Sequence, residues 1–401
     1  MNKSTFFSGQ PIFAQLLKFV PKDTVLRIAH DSKSDHYCKR FSTYEHLVTI
    51  LYAIYNNCNS LREITTGMLA SEQRLAHLGI RYHPRRSTIA DANIRRQAEV
   101  FEKIYFSILK KYAHFLSDSR TNSKASKIYI LDSTTIKLFH DVLRAGGLVP
   151  ASGKCKGGIK VHTMIRSDQD VPCMIRFSSG VAHDCQYLKE IHLPKGSIIV
   201  FDRGYRDFAT LNRLTNDGIT WITRRTDYLA LAEKDNLIKP DTDKSIIYDR
   251  KVIIGHRTIK HRVNARFIRY LDPNSGEVYE YFTNNLKMNG STIVELYRKR
   301  WQIELLFKRM KQNYPLKYFL GDSENAIKIQ ICCSLIADLL LKIVKKAAAA
   351  RWSFSNLASI VRLHLMTYID LFGFLKSPEK ALLKLFAGPI KQNYNQLSFV
   401  T

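Results

Sequence analysis

Three carboxylates stand in this sequence where a carboxylate is costly. Asp132 lies inside "YILDSTTI", an otherwise apolar and β-branched run. Asp202 directly follows "SIIVF" and precedes Gly204. Glu304 sits within "LYRKRWQIELLFKRMKQ", residues 296–312, among cations and bulky apolar residues. A charge in such surroundings needs compensation, and a bound cation is one form of it. Three carboxylates with no Cys or His spacing suit a hard, oxygen-liking ion, Mg²⁺ or Mn²⁺. Two such ions roughly 4 Å apart activate a water or a 3′-hydroxyl and stabilise the leaving oxygen of a phosphodiester. The plainer alternative for either aspartate is a turn or N-cap residue, since Asp is common before Gly in turns.

The 296–312 window contains no Gly, Pro or Asn and is rich in strong helix formers, so one continuous helix is expected. At roughly 100° per residue, Arg300, Glu304, Lys308 and Lys311 fall within an arc of about 80° around Tyr297. Trp301 and Leu305 flank that arc on one side. Leu296, Ile303, Phe307 and Met310 flank it on the other. A second polar strip, Arg298, Gln302 and Arg309, is expected to be the solvated face. The first strip is then set into a groove, where Arg300 offers a bidentate fork to a phosphate and Lys308 and Lys311 act as point charges. An ordinary surface helix with weak i,i+4 ion pairs is the alternative.

The chain as a whole fits an anionic partner. Its 401 residues carry 62 Lys and Arg against 35 Asp and Glu, a net +27 spread along the sequence. That balance points to a polyanion, most simply nucleic acid. A content of 45% hydrophobic and 11% aromatic residues describes a packed protein rather than a solvating tail. Seven Cys with no CxxC pair read as buried thiols of a reducing compartment, neither a disulfide framework nor a zinc site. The N-terminus lacks a signal-peptide core, and the apolar run from Ile331 is interrupted by Asp338 and Lys342. A cytoplasmic, soluble protein is expected.

The elements that must position the carboxylates follow from the local patterns. Residues 1–122 read as a helical domain, with Gly79 as a C-cap and a long helix starting after Ser87. Its entrance carries Arg85, Arg86, Arg95 and Arg96, which suits either a helix-turn-helix-like DNA reader or plain bundle packing. From 127 the texture becomes strand-like. "KIYILDSTTIKL", "GGIKVHTMIR" and "VPCMIRFSSG" form a meander. A short helix at "HDCQYLKEIH", the core strand "GSIIVF", a helix ended by Gly218 and the strand "ITWITRR" follow. This order predicts an α/β fold, a mixed sheet with helices on its faces. Residues 226–283 read as a β-rich insertion. The sheet domain then comprises 123–225 and 284–348, with a helical region at 349–401.

Three further groups draw attention. Lys154, Lys156 and Lys160, with glycines between them, suit close approach to a phosphate backbone, although the GK[ST] ending of a nucleotide loop is missing. Arg203, beside Asp202, is another cation expected on phosphate. His162 and His183 are read as hydrogen-bonded structural residues, and Asp184 as a first-turn acid of its helix.

These residues carry a resemblance. Asp on the first strand, Asp after the fourth and Glu on a late helix resembles the ribonuclease-H-like fold of DDE transposases. Tyr297, Arg300, Glu304 and Lys311 match the Tyr-x2-Arg-x3-Glu-x6-Lys signature of a large group of bacterial insertion-sequence transposases. "FDRGY" around Asp202 is similar to that group's second-Asp motif, "TNN" at 283–285 to the lead-in to its Glu helix, and the β-rich insertion is also typical. The resemblance is carried by about 125–345. It implies that Asp132, Asp202 and Glu304 bind Mg²⁺ or Mn²⁺, two ions in all, and that Tyr297, Arg300 and Lys311 hold DNA phosphates. It implies a transposase that binds the inverted ends of its element, cuts at the 3′ ends and joins them to target DNA, working as a homodimer on nucleoid DNA. An aromatic from the insertion region, Trp221, Tyr248, Phe267 or Tyr270, is expected to handle a flipped base. The alternatives are a ribonuclease-H-like nuclease that does not join strands and a catalytically inactive DNA-binding repressor.

Overall fold

The computed structural model describes residues 9–117, 127–137, 158–180, 183–205, 207–225, 230–237, 245–255, 262–349 and 352–379. In chain order the helices and strands are α1 (Ile12–Leu17), α2 (Lys22–Asp31), α3 (Thr43–Tyr55), α4 (Leu61–Leu69), α5 (Glu72–Leu75), α6 (Arg86–Arg95) and α7 (Ala98–Leu116). Then come β1 (Ile128–Lys137), β2 (Gly158–Arg166), β3 (Pro172–Ser179), α8 (Cys185–Lys189), β4 (Ile198–Phe201), α9 (Phe208–Asn216) and β5 (Thr220–Arg224). The remainder are β6 (Ala230–Leu237), β7 (Ile246–Gly255), β8 (Val263–Leu271), β9 (Val278–Thr283), α10 (Gly290–Arg298), α11 (Trp301–Asn313), α12 (Glu324–Ala348), α13 (Phe354–His364) and α14 (Leu371–Lys376).

The contacts divide the chain into two compact units, Met1–Ala92 with Ile336–Thr401, and Asn93–Leu335. In the first unit α3 is the centre. All thirteen of its residues are buried, and it opens with a capping box in which Ser42 and Glu45 satisfy each other's backbone donors. The C-terminal helices join this unit rather than standing apart. Phe13 N–H donates to Leu365 O at 2.8 Å, and the Gln15 side chain both donates to Ile369 O and accepts from Leu371 N–H. Gly79 ends the α5 region with φ +74°, the left-handed cap its sequence position called for.

The second unit holds a nine-stranded sheet in the order β3-β2-β1-β4-β5-β9-β8-β7-β6. β1, β2 and β3 form the expected antiparallel meander, and β4 and β5 add parallel to β1. Alternate residues of each strand face opposite sides of the sheet. Ile199, Phe201 and Trp221 pack with Leu188 of α8 and Leu211 and Leu214 of α9. Val200 and Ile222 pack on the other face with Ile293, Val294 and Leu296 of α10. The strands of 226–283 are continuous with this sheet, because β9 pairs antiparallel with β5.

Two helices expected to be continuous are broken. The long helix read after Ser87 divides into α6 and α7. Asn325 makes the division: its amide donates to Asn93 O and Arg96 O, while its oxygen accepts from Ala98 N–H. One side chain thus satisfies the end of one helix and the start of the next. The 296–312 helix likewise divides between Arg298 and Trp301. There the bonds tighten to i→i+3, with Arg300 N–H on Tyr297 O at 2.9 Å and Gln302 N–H on Lys299 O at 2.9 Å.

Candidate active site

The parallel register of β1 and β4 aligns Leu131 with Phe201, so the next residues, Asp132 inside β1 and Asp202 just past the end of β4, stand side by side. β4 ends there, and the end of a core strand is where open sheets expose groups to a ligand. Leu131 and Phe201 belong to the α8–α9 side of the core, so alternation turns both aspartates toward the α10–α11 side.

The tightened turn between α10 and α11 brings Arg300 to them. Its Nη1 donates to Asp132 Oδ2 at 2.8 Å and its Nη2 to Glu304 Oε1 at 2.6 Å. The other Asp132 oxygen accepts from Ser133 N–H. Burial pushes the Asp132 carboxyl up to about 6; the Ser133 N–H and Arg300 pull against that, while Asp202 and Glu304 push further up. Asp202 and Glu304 are therefore both within electrostatic reach of Asp132. Asp202 has no hydrogen-bond partner for its side chain among the described residues. A half-buried, partly unpaired set of oxygen donors fits a hard divalent cation by its chemistry. In this conformation Arg300 lies between two of its members, and among the described residues no three donors share one ion-sized space.

Beside the cluster lies a second network. Lys160 Nζ donates to Asp184 Oδ1 at 3.0 Å, and Ser133 Oγ donates to the same oxygen at 3.3 Å. Asp184 stands at the N-cap of α8, one place before the first turn in which it was expected, and makes no side-chain cap bond there. Lys160 is held by that pair rather than standing as a free phosphate contact. His162 is fully buried, stacked on Tyr187 at 3.7 Å and hydrogen-bonded to Tyr205 and Ser178. Burial lowers its imidazole to about 4, so it is a neutral structural group, while His183 is exposed.

Other expected positions are distributed unevenly. Lys308 and Lys311 of α11 and Arg203 after Asp202 are exposed. Tyr297 is buried against Tyr281, and its hydroxyl has no partner among the described residues. The strip expected to be solvated is so at Arg298, which is exposed, but also serves as an anchor. Gln302 accepts from Ser167 Oγ, Arg309 pairs with Asp170, and Arg298 bonds Tyr270 and Asp272. The side left open carries Trp301, 60% exposed, and Leu305, 49% exposed. The signal for that was present, since both flank the Glu304 arc. Of the aromatics considered for base contact, Trp221, Phe267 and Tyr270 are buried in the core, and Tyr248 is partly buried. Arg96 is buried as well, leaving Arg85, Arg86 and Arg95 exposed. Lys154 and Lys156 lie outside the described residues.

Comparison with known proteins places these observations. Residues 8–81 match a domain of unknown function (DUF4372). A putative transposase, y4zB, of Sinorhizobium fredii is 26% identical over 66% of this chain and 72% of its own length. A putative transposase for insertion sequence element IS4SA of Synechocystis sp. is 30% identical over 64% of this chain and 71% of its own. A probable transposase for insertion sequence element IS5377 of Geobacillus stearothermophilus is 24% identical over 53% of this chain and 55% of its own. The cryo-EM structure of a piggyBac transposase synaptic complex with hairpin DNA aligns with 98% of this chain and 85% of that chain at 11% identity, with a TM-score of 0.41, too low to establish a common fold. Residues 123–340, more than half of the sequence and the part that carries all three carboxylates, match the transposase DDE domain, and the chain belongs to that family of insertion-sequence transposases.

Proposed function

We propose that this transposase binds the inverted ends of its own element, cuts at the 3′ ends and joins them to target DNA by in-line phosphoryl transfer, on a ribonuclease-H-like sheet. The observation that carries the reading is the side-by-side placement of Asp132 on β1 and Asp202 at the end of the parallel neighbour β4, with Glu304 tied to Asp132 through Arg300. Asp132, Asp202 and Glu304 would hold the divalent ions. A pair of Mg²⁺ or Mn²⁺ ions held there would supply nucleophile activation and stabilisation of the leaving oxygen.

The chain's own residues do the rest. Arg300 exchanges its two carboxylates for a DNA phosphate, which its fork can grip bidentately. Exposed Lys308 and Lys311 extend the cationic track along α11, and Arg203 adds a cation beside Asp202. In the first step a water oxygen forms the new P–O bond and the element's 3′ oxygen leaves as a hydroxyl. In the second, that hydroxyl attacks a target phosphodiester and a target 3′-hydroxyl leaves. No protein–DNA bond forms. Two ends must be held together, so a homodimer acting on nucleoid DNA in the cytoplasm completes the reading.

The test is a labelled duplex carrying the element's ends, incubated with the full chain in Mg²⁺, Mn²⁺ or EDTA. Metal-dependent nicking and joined products are expected, with a loss of at least about 100-fold in Glu304→Ala and unchanged end binding. Binding without cleavage in any metal would replace the enzyme with a DNA-binding repressor. Cleavage without joining would replace it with a nuclease.

A further inference from the structure

The domain matched by residues 8–81 has no assigned function, and it contains a groove that the carboxylate cluster does not use. The groove measures about 430 Å³ and lies within the helical unit. Four exposed cations line it: Lys22 at the start of α2, Lys39 and Arg40 before α3, and Arg81 after Gly79. None of the four forms an ion pair among the described residues. Glu45 is the carboxylate in the lining, and it is already committed to the capping box, accepting from Ser42 N–H at 2.8 Å and Ser42 Oγ at 3.0 Å.

The walls are shaped for a ligand that brings its own negative charge. Lys22 Nζ stands 4.9 Å from the centre of the Tyr44 ring, and Arg40 lies over Tyr82 at 5.6 Å. Tyr82 itself is 58% exposed. Gly79 has φ +74°, and a Cβ there would meet Tyr44 at 3.3 Å and Lys22 Nζ at 3.4 Å. The glycine is required by the backbone, and it also keeps the floor between those two residues clear. Four cations so close together, with no ionic partner among the described residues, repel one another, a state that an anion relieves.

We propose that this groove is a phosphate clamp, in which Lys22, Lys39, Arg40 and Arg81 hold the sugar–phosphate backbone of a DNA duplex independently of the carboxylate cluster. The clamp rests on the reading that DNA is the partner. It contacts phosphates and not base edges, so it contributes affinity without sequence preference.

The experiment measures binding of the full chain to a labelled duplex of ~30 base pairs across about 50 to 300 mM NaCl. Each phosphate neutralised adds about 0.9 to the steepness of log affinity against log salt. The variant Lys39→Ala/Arg40→Ala/Arg81→Ala, checked for folding by circular dichroism, is expected to lower that steepness by about 2 to 3 and to weaken binding at least ~10-fold at low salt. A matched loss of charge on α7, Lys103→Ala/Lys110→Ala/Lys111→Ala, is expected to change it less. A folded groove variant with undiminished affinity and slope overturns the clamp, and so does an equal loss in the α7 variant. A groove variant that loses only stabilisation by inorganic phosphate, with duplex binding intact, makes the occupant a free anion and also overturns it. Failure of the unmodified protein to bind any duplex would instead remove the DNA reading on which the clamp rests.

Discussion

The two units of this protein treat charge in opposite ways. In the sheet unit, several charges are enclosed and matched. Arg300 bridges Asp132 and Glu304, Lys160 meets Asp184, and Arg266, almost fully buried, takes Asp249 through Nε at 2.7 Å. In the helical unit, four cations line a groove with no ionic partner among the described residues. Matched charge fixes a geometry. Unmatched charge stores an attraction for something outside the chain. The first suits a site where atoms must be placed within a fraction of an ångström, the second a surface that has only to hold a polymer.

Substitutions in the two units therefore differ in what they disturb. The largest effect is expected for Asp249→Ala, which strands the Arg266 guanidinium inside the sheet unit. Loss of one partner of a buried pair costs about 3–5 kcal/mol. Urea unfolding should show it, and a midpoint near that of the unmodified protein would mean that the pair is not truly enclosed.

Acid comes next. His162 is held neutral by burial, with its imidazole lowered from 6.5 to about 4. Above pH 6.5 both the folded and the unfolded chain carry it uncharged. As pH falls from 6.5 toward 4 the unfolded chain takes up the proton first, so stability declines through that window by roughly 3 kcal/mol. A His162→Gln variant should show a shallower fall of the urea midpoint over the same window. Parallel falls in the two proteins would assign the acid response to other groups.

The smallest effect on stability is expected where charge is unmatched. Lys39→Ala removes no ionic partner, so its unfolding free energy should stay within about 0.5 kcal/mol of the original. Its DNA-binding slope against salt should nevertheless fall by about 0.9. A large thermal destabilisation would show that Lys39 supports the fold.

Most of the strands were legible in the sequence because they are short β-branched or apolar runs bounded by turn residues, as "SIIVF" and "ITWITRR" illustrate; β6, the polar run "ALAEKDNL", carried no such signal. The caps at Gly79 and Gly218 were legible because left-handed backbone strongly favours glycine. The pairing of Asp132 with Asp202 followed from their places in those strands. What could not be read locally was decided by partners far along the chain. Asn325 divides α6 from α7 from more than 200 positions away, with no Pro or Gly at the break. Gln302 and Arg309 look like a solvated strip on a helical wheel, but Ser167 and Asp170 on the turn between β2 and β3 claim them. Asp184 resembles a helix-opening acid until Lys160 and Ser133 are seen on its carboxylate. The grouping of the C-terminal helices with α1 had no signal in composition, because it is made by backbone and Gln15 bonds across some 350 positions.

The pairing of β5 with β9 has one more consequence. Residues 226–283 read in the sequence as a β-rich insertion, and their strands close the open side of β5. Cutting them out would leave a row of bare N–H and C=O groups on a central, apolar strand, the kind of template on which chains add to one another and precipitate. A shortened protein made to simplify the enzyme would meet that hazard first, and an exposed strand rather than a lost catalytic group would account for its insolubility.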